Sequence, residues 1–226
     1  MGGIRIKKIN QKLKDLEPNE YYQKFIKNGE FLSVQFFCKN NSASILSVCE
    51  QLMSKRTKNP FLIESLITKK VTFGFFKRLK IIVNRVSKIF KLNGLNNLDF
   101  IRIKKKIYII ELNPRPGLGI NIVSKLRKNF FNFENNAFKN YSNEFHFSTT
   151  ILYARKKILI DKKKLKFIKK LDLTNKFSEL PDLNDRIMLD APICLIHLKS
   201  RERDLLDEKI KKISYKVLNH LEKNQS

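Results

Sequence analysis

Two strand-like runs, Leu98 to Ile103 and Ile107 to Leu112, flank Lys104-Lys105-Lys106, and no other feature restricts the fold of this chain so tightly. Both runs are β-branched and apolar, the lysines suit a solvated turn, and strands this close in sequence pair antiparallel. With a three-residue loop over Lys104 to Lys106, Ile103 faces Ile107 and Asp99 faces Glu111. Directly opposed side chains have Cβ atoms about 4.5–5.5 Å apart, where like charges destabilise a sheet. Asn113, two residues beyond Glu111, points to the same face. Two carboxylates and an amide oxygen gathered in this way form a hard-oxygen pocket for Mg²⁺, which would remove the repulsion. The alternative is that both acids simply reach solvent at the end of a strand pair, and spacing alone leaves the two open.

The rest of the chain reads as α+β. Ile4-Arg5-Ile6 and Tyr21 to Ile26 look extended, with a polar turn at Lys27-Asn28-Gly29. Phe31 to Cys38 and Ser44 to Cys49 suit a hairpin across Lys39-Asn40-Asn41. From Phe75 to Leu92, apolar residues at Phe75, Leu79, Ile82, Val83, Val86, Ile89 and Phe90 follow the three-and-four spacing of an amphipathic helix. Gly94 stands where a glycine would end it. A further helix is expected near Ile120 to Leu126. From about Phe145, strand-like pieces (Phe147 to Tyr153, Lys157 to Ile160, Pro192 to Leu198) alternate with basic loops, and Glu202 to Leu221 forms a last amphipathic helix. The change of character predicts two units, 1–142 and 143–226, the second a small β/α subdomain.

A chain of 226 residues with 42% apolar content can bury a core and is not a solvated disordered chain. It has no apolar run approaching the roughly 20 residues that span a bilayer, and no signal-peptide core at its start. Cys38, Cys49 and Cys194 lack metal-like spacing and read as small buried apolar residues, which suits a reducing cytoplasm. The net charge of +26 raises a nucleic-acid partner. Lysine greatly outnumbers arginine, the better residue for planar recognition of phosphates and bases, and lysine spreads through nearly every segment. Ile, Asn and Phe are abundant beside it, as a general compositional bias would produce. Nucleic acid is therefore a disfavoured partner and a membrane is not expected as one, while the excess charge would help attract anionic ligands. His146, His197 and His220 are not clustered at catalytic spacing, and the Lys162 to Lys164 and Lys169-Lys170 runs read as exposed faces.

Three ordered motifs carry a family resemblance. Glu111-Leu112-Asn113-Pro114-Arg115-Pro116-Gly117 resembles the Glu-x-Asn-Pro-Arg signature of the ATP-grasp superfamily. Gly94 to Phe100 resembles the upstream segment bearing the other metal-binding acid, and Gln23 to Val34 resembles the hinge. Within the superfamily the chain is most similar to an uncharacterised archaeal and bacterial group of predicted ATP-utilising enzymes, which share a late Ala191-Pro192-Ile193-Cys194-like strand and a terminal helix. Tyramine–glutamate and D-alanine–D-alanine ligases share only the core motifs.

The resemblance implies the ATP-grasp fold, here its C-terminal lobe with part of the small lobe, plus the C-terminal appendage. It implies ATP with Mg²⁺, or Mn²⁺ in its place, and ligation of a carboxylate to an amine through an acylphosphate. Asp99, Glu111 and Asn113 would hold the metal; backbone groups near Gln23, Lys24, Phe25 and Ile26 would bond adenine, Glu30 the ribose, and Gly2-Gly3 would cover the phosphates. Arg115 would meet the transferred phosphoryl group or the acyl substrate, or else pair with Glu111. The resemblance starts in the middle of the family pattern, with Met1 just before the glycine loop and no phosphate-binding lysine upstream. This predicts a truncated product, or half of an enzyme completed by a separately encoded N-terminal half or by a second copy. Two rival readings follow, an inactive partner subunit and a basic nucleic-acid-binding protein; the latter would concentrate cations on one face with exposed aromatics among them.

Overall fold

The computed structural model describes residues 26–40, 42–54, 62–126 and 144–223. Ten strands and four helices follow in the order β1 (Glu30–Lys39), β2 (Ser42–Met53), β3 (Ile63–Thr68), α1 (Phe73–Ile89), β4 (Gly94–Ile103), β5 (Lys106–Asn113), α2 (Ile120–Leu126), β6 (His146–Tyr153), β7 (Ile158–Leu159), α3 (Lys162–Asp172), β8 (Phe177–Ser178), β9 (Arg186–Ile187), β10 (Pro192–Ser200) and α4 (Arg203–Leu221). Eight strands form one antiparallel sheet in the order β5-β4-β1-β2-β3-β6-β10-β8, and β7 pairs with β9 apart from it. This is the α+β class expected. The unit boundary expected at 142/143 lies outside the described residues, and the β3–β6 pairing carries the sheet from one side of it to the other.

Strand alternation sorts the helices onto the two faces. Leu32, Val34 and Phe36 of β1 and Leu98 and Phe100 of β4 pack on Phe75, Leu79 and Val83 of α1. Val48 pairs with Val34, and two residues on Glu50 pairs with Ile67, which packs on Leu206, Val217 and Leu218 of α4. Thus α1 and α4 cover one face. Cys49 and Leu66, pointing the other way, pack on Ile122 of α2.

Thr72 caps α1 by accepting from the Phe75 amide. The helix ends differently from expectation. Phe90 is its C-cap, Lys91 takes a left-handed φ of 49°, and the Leu92 amide donates back to the Ser87 carbonyl, closing a Schellman turn. Gly94 (φ 69°) instead opens β4. A second departure is α3, which occupies a stretch expected to be a basic loop. Asp161 caps it through the Lys164 amide, and Ile168 anchors it in the core. All three cysteines are free and buried, and burial pushes the Cys49 and Cys194 thiols up to about 12. Among the described residues no helix is long and apolar enough to cross a membrane.

Candidate functional site

The β4–β5 hairpin turns on two residues, Lys104 and Lys105, not three; Lys104 takes the left-handed φ of 52° that so tight a turn demands. Near the turn Ile103 therefore pairs with Lys106 and Arg102 with Ile107, one residue out of the expected register. A bulge then inserts Ile110: Phe100 pairs with Ile109, but Asp99 pairs with Glu111, Leu98 with Leu112 and Asn97 with Asn113. The extra residue cancels the shorter turn. Asp99 and Glu111 stand directly opposed, with Asn113 on their face, two residues on.

That face is the one turned away from α1, because Leu98 and Phe100 point towards the helix. Beneath the carboxylates lies a buried polar floor. Ser33 Oγ donates to Asn97 Oδ1 at 2.6 Å, and Gln35 Nε2 donates to the same oxygen. Asn97 Nδ2 and Gln51 Nε2 both donate to Asp99 Oδ1, at 3.0 and 2.8 Å. Each amide thus has an oriented role, and the Asp99 carboxylate is fixed through a single oxygen. The chain leaving β5 closes over this floor. The Gly117 amide donates to Gln35 Oε1 at 3.4 Å, and a Cβ on Gly117 would stand 2.8 Å from Gln35 Nε2 and 3.0 Å from Asn97 Cγ. Gly119 lies as close, its Cβ position being 2.9 Å from Gln35 Cγ, and α2 begins directly after it. Only glycine lets backbone approach the amides this closely.

Burial holds the Asp99 carboxyl above its ordinary range; hydrogen bonding from its polar neighbours, Asn97 first, opposes this, and the charge of Glu111 adds to it. Among the described residues neither Asp99 nor Glu111 has an ion-pair partner. Arg115 is exposed and forms no ion pair with Glu111. Among the described residues no three His, Cys, Asp or Glu side chains cluster as a metal site, so any cation here would be held by two carboxylates with amide oxygens. That donor set is hard and anionic, and it fits Mg²⁺ rather than a softer metal.

Other expected site residues are placed differently. Gly2, Gly3, Gln23, Lys24 and Phe25 lie outside the described residues, and Ile26 is half-buried at their edge. Glu30 pairs with Arg102, whose guanidinium lies 4.6 Å over the Phe75 ring, so Glu30 sits on the α1 face and not with Asp99. Its carboxylate is held by Lys69 and Arg102. The histidines remain scattered: His197 lies between Thr149 Oγ1 (3.2 Å) and Ser178 Oγ (2.7 Å), and His220 stacks on Phe167. Sequence reasoning missed Ser33, Gln35, Gln51 and Asn97. The polar residues interrupting two apolar strands were the available signal.

The model of the ATP-grasp domain family matches residues 1–119, just over half of the 226-residue chain. No curated protein matches it. Among solved structures, an L-amino acid ligase from Bacillus licheniformis is similar at a TM-score of 0.59 and 14% identity, over 82% of this chain and 50% of that one. An N5-carboxyaminoimidazole ribonucleotide synthetase in its ADP complex is similar at 0.58 and 12%, over 86% and 50%. A phosphoribosylglycinamide synthetase from Anaerococcus prevotii gives 0.57 and 17%, over 84% and 52%. At such identities the likeness is one of fold, and the chain spans about half the length of these structures.

Proposed function

The chain belongs to the ATP-grasp family, and from that premise we propose that it binds Mg·ATP and serves a ligase joining a carboxylate to an amine. The observation that supports this most is the opposed Asp99–Glu111 pair, without a cation among the described residues, on the polar face that the Pro116-Gly117 loop overhangs. Asp99, Glu111 and Asn113 would hold the metal. When bound, Mg²⁺ (or Mn²⁺) neutralises charge on the β- and γ-phosphates as the phosphoryl group moves.

The chain's own residues have definable parts. Gln51 and Asn97 fix one oxygen of Asp99 and leave the other to a ligand. Ser33 and Gln35 fix Asn97 in turn, so the geometry would be set before a nucleotide arrives. Arg115, exposed and without an ion-pair partner among the described residues, would present its planar fork to the transferred phosphoryl group or to the acyl substrate. In this proposal the carboxylate substrate takes the γ-phosphoryl group to give an acylphosphate, and an amine then displaces phosphate. The hinge ending at Ile26 would bond adenine, Gly2-Gly3 would cover the phosphates, and Glu30 would meet the ribose around the end of β1.

Calorimetric titration of ATP, with and without Mg²⁺, tests the reading. Magnesium-dependent binding supports it, and amine and carboxylate pairs can then be screened by ADP release. Binding that ignores Mg²⁺ would sink the metal assignment. In a second reading the same nucleotide site is completed by a partner, either a separately encoded N-terminal half or a second copy of the chain. Binding that appears only on adding such a partner would support it.

A further inference from the structure

The outer face of α1 has a character that the nucleotide site does not use. Between Glu64 and Asp99 the sequence contains no carboxylate. Among the described residues no acid pairs with Lys77, Arg78, Arg85 or Lys88 of the helix. The β4–β5 turn adds Lys104 and Lys105 beside them, because Arg78 donates to the Lys105 carbonyl. Set among these cations are three large apolar side chains, each more than three-fifths exposed, Phe73 (62%), Ile81 (66%) and Ile89 (63%), and the exposed C-cap Phe90 (61%) follows them. At about 100° per residue, Lys77, Ile81 and Lys88 fall within roughly 40° of one another, opposite the buried stripe. Ile81 therefore projects from the middle of the face with cations around it.

We propose that this face docks on an anionic membrane surface. Charge complementarity supplies the attraction, since clustered Lys and Arg on a helix gain from the negative potential of acidic lipids. The apolar side chains decide between polyanions. Phe73 suits either polyanion, but Ile81, at the centre of the face, and Ile89 cannot stack on bases and gain nothing against a phosphate backbone, whereas at the headgroup–acyl boundary all three leave water. Lysine and arginine stems can lie along that boundary with their charges at the phosphates. Overall charge alone does not distinguish this face. α3 is also lysine-rich, yet exposes no large apolar side chain between Lys162 and Asp172; its exposed apolar neighbours, Leu159 and the C-cap Leu173, lie beyond its ends. Docking through α1 would leave the Asp99–Glu111 face free, because the sheet lies between them.

The test is co-sedimentation of the whole chain with phosphatidylcholine vesicles, with and without phosphatidylserine. Binding is expected only with the acidic lipid. Replacing Lys77, Arg85 and Lys88 by Gln should weaken it roughly a hundredfold, and Ile81→Ser roughly tenfold. The same three-charge removal on α3, at Lys163, Lys166 and Lys170, should leave binding near that of the unaltered protein. All these positions are exposed, and circular dichroism checks that each variant folds. Equal losses from the α1 and α3 triples would overturn the proposal in favour of net charge. So would no binding to acidic vesicles, or an Ile81→Ser variant that binds unchanged. Duplex DNA bound through α1 while vesicles are ignored would overturn it too, assigning the face to nucleic acid.

Discussion

Replacing Glu111 by Gln should make the metal-free protein more stable and the nucleotide-loaded protein less so. Two unit charges about 5 Å apart repel by about 3 kcal/mol at an effective dielectric of 20, and by under about 1 kcal/mol in bulk water. Glu111 is exposed while Asp99 is half-buried, so solvent screening sets the value at roughly 1 kcal/mol. For a chain of this size that corresponds to a melting temperature about 2–4 °C higher without divalent ions. Added salt should shrink the gain, because one partner is exposed. With free Mg·ATP at a hundred times its Kd, the unaltered protein should gain about 2.7 kcal/mol, or roughly 5–11 °C. The variant should gain almost nothing. Thermal unfolding in chelator and in Mg·ATP measures both arms. If Glu111→Gln melts no higher than the parent in chelator, the opposed carboxylates do not repel. If it keeps the ligand-induced shift, Glu111 holds no metal.

Gly117→Ala should cost about 1–3 kcal/mol by thermal unfolding, because the new Cβ meets Gln35 and Asn97, and it should weaken Mg·ATP in calorimetry as the loop lifts from the polar floor. Arg115→Ala should leave stability within about 0.5 kcal/mol, since the side chain is exposed, yet lower ATP turnover in a substrate-driven ADP-release assay; Arg115→Lys should recover little, lacking the planar fork. Asp99 titrates above the ordinary carboxylate range through burial, aided by Glu111, so the native form keeps its proton more tightly than the unfolded chain does. Metal-free stability should therefore fall as pH rises from about 4 through that raised value, while Mg·ATP affinity weakens as pH drops through it. Melting and titration across that window check both slopes, and Asp99→Asn should flatten the first.

Elements with a strong local period were legible from sequence. The α1 helix announces itself through Phe75, Leu79, Val83 and Val86, which the structure buries, though Ile89 and Phe90 of the same expected stripe are exposed; α4 does so through Leu206, Val217, Leu218 and Leu221, with Leu205 exposed. The α3 helix escaped because lysines crowd it and Ile168 is its one buried residue, too thin a stripe to see without the core beneath. The end of α1 misled for a related reason. A glycine is the usual left-handed residue at a helix end, but Lys91 takes that conformation and the Leu92–Ser87 hydrogen bond holds it.

The hairpin shows why a candidate site can be recovered from a mistaken detail. A three-residue loop and a regular ladder oppose Asp99 to Glu111, and so do a two-residue turn and one bulge; the sum along the chain is the same. What differs is the side-chain set between turn and bulge, and Tyr108 faces Ile101 in the actual register. Local pairing therefore constrains the carboxylates well, since strand alternation carries the information over only a few residues. The polar floor had no such route. Ser33 and Gln35 reach Asn97 across sequence separations of 64 and 62 residues, and Gln51 reaches Asp99 across 48. Only the order β4-β1-β2 brings them together, and no local pattern encodes that order. The same order leaves α1 on the opposite face, so site and basic helix can be altered independently. Glu111→Gln should therefore leave vesicle binding unchanged, and the Lys77, Arg85 and Lys88 triple should leave nucleotide binding unchanged.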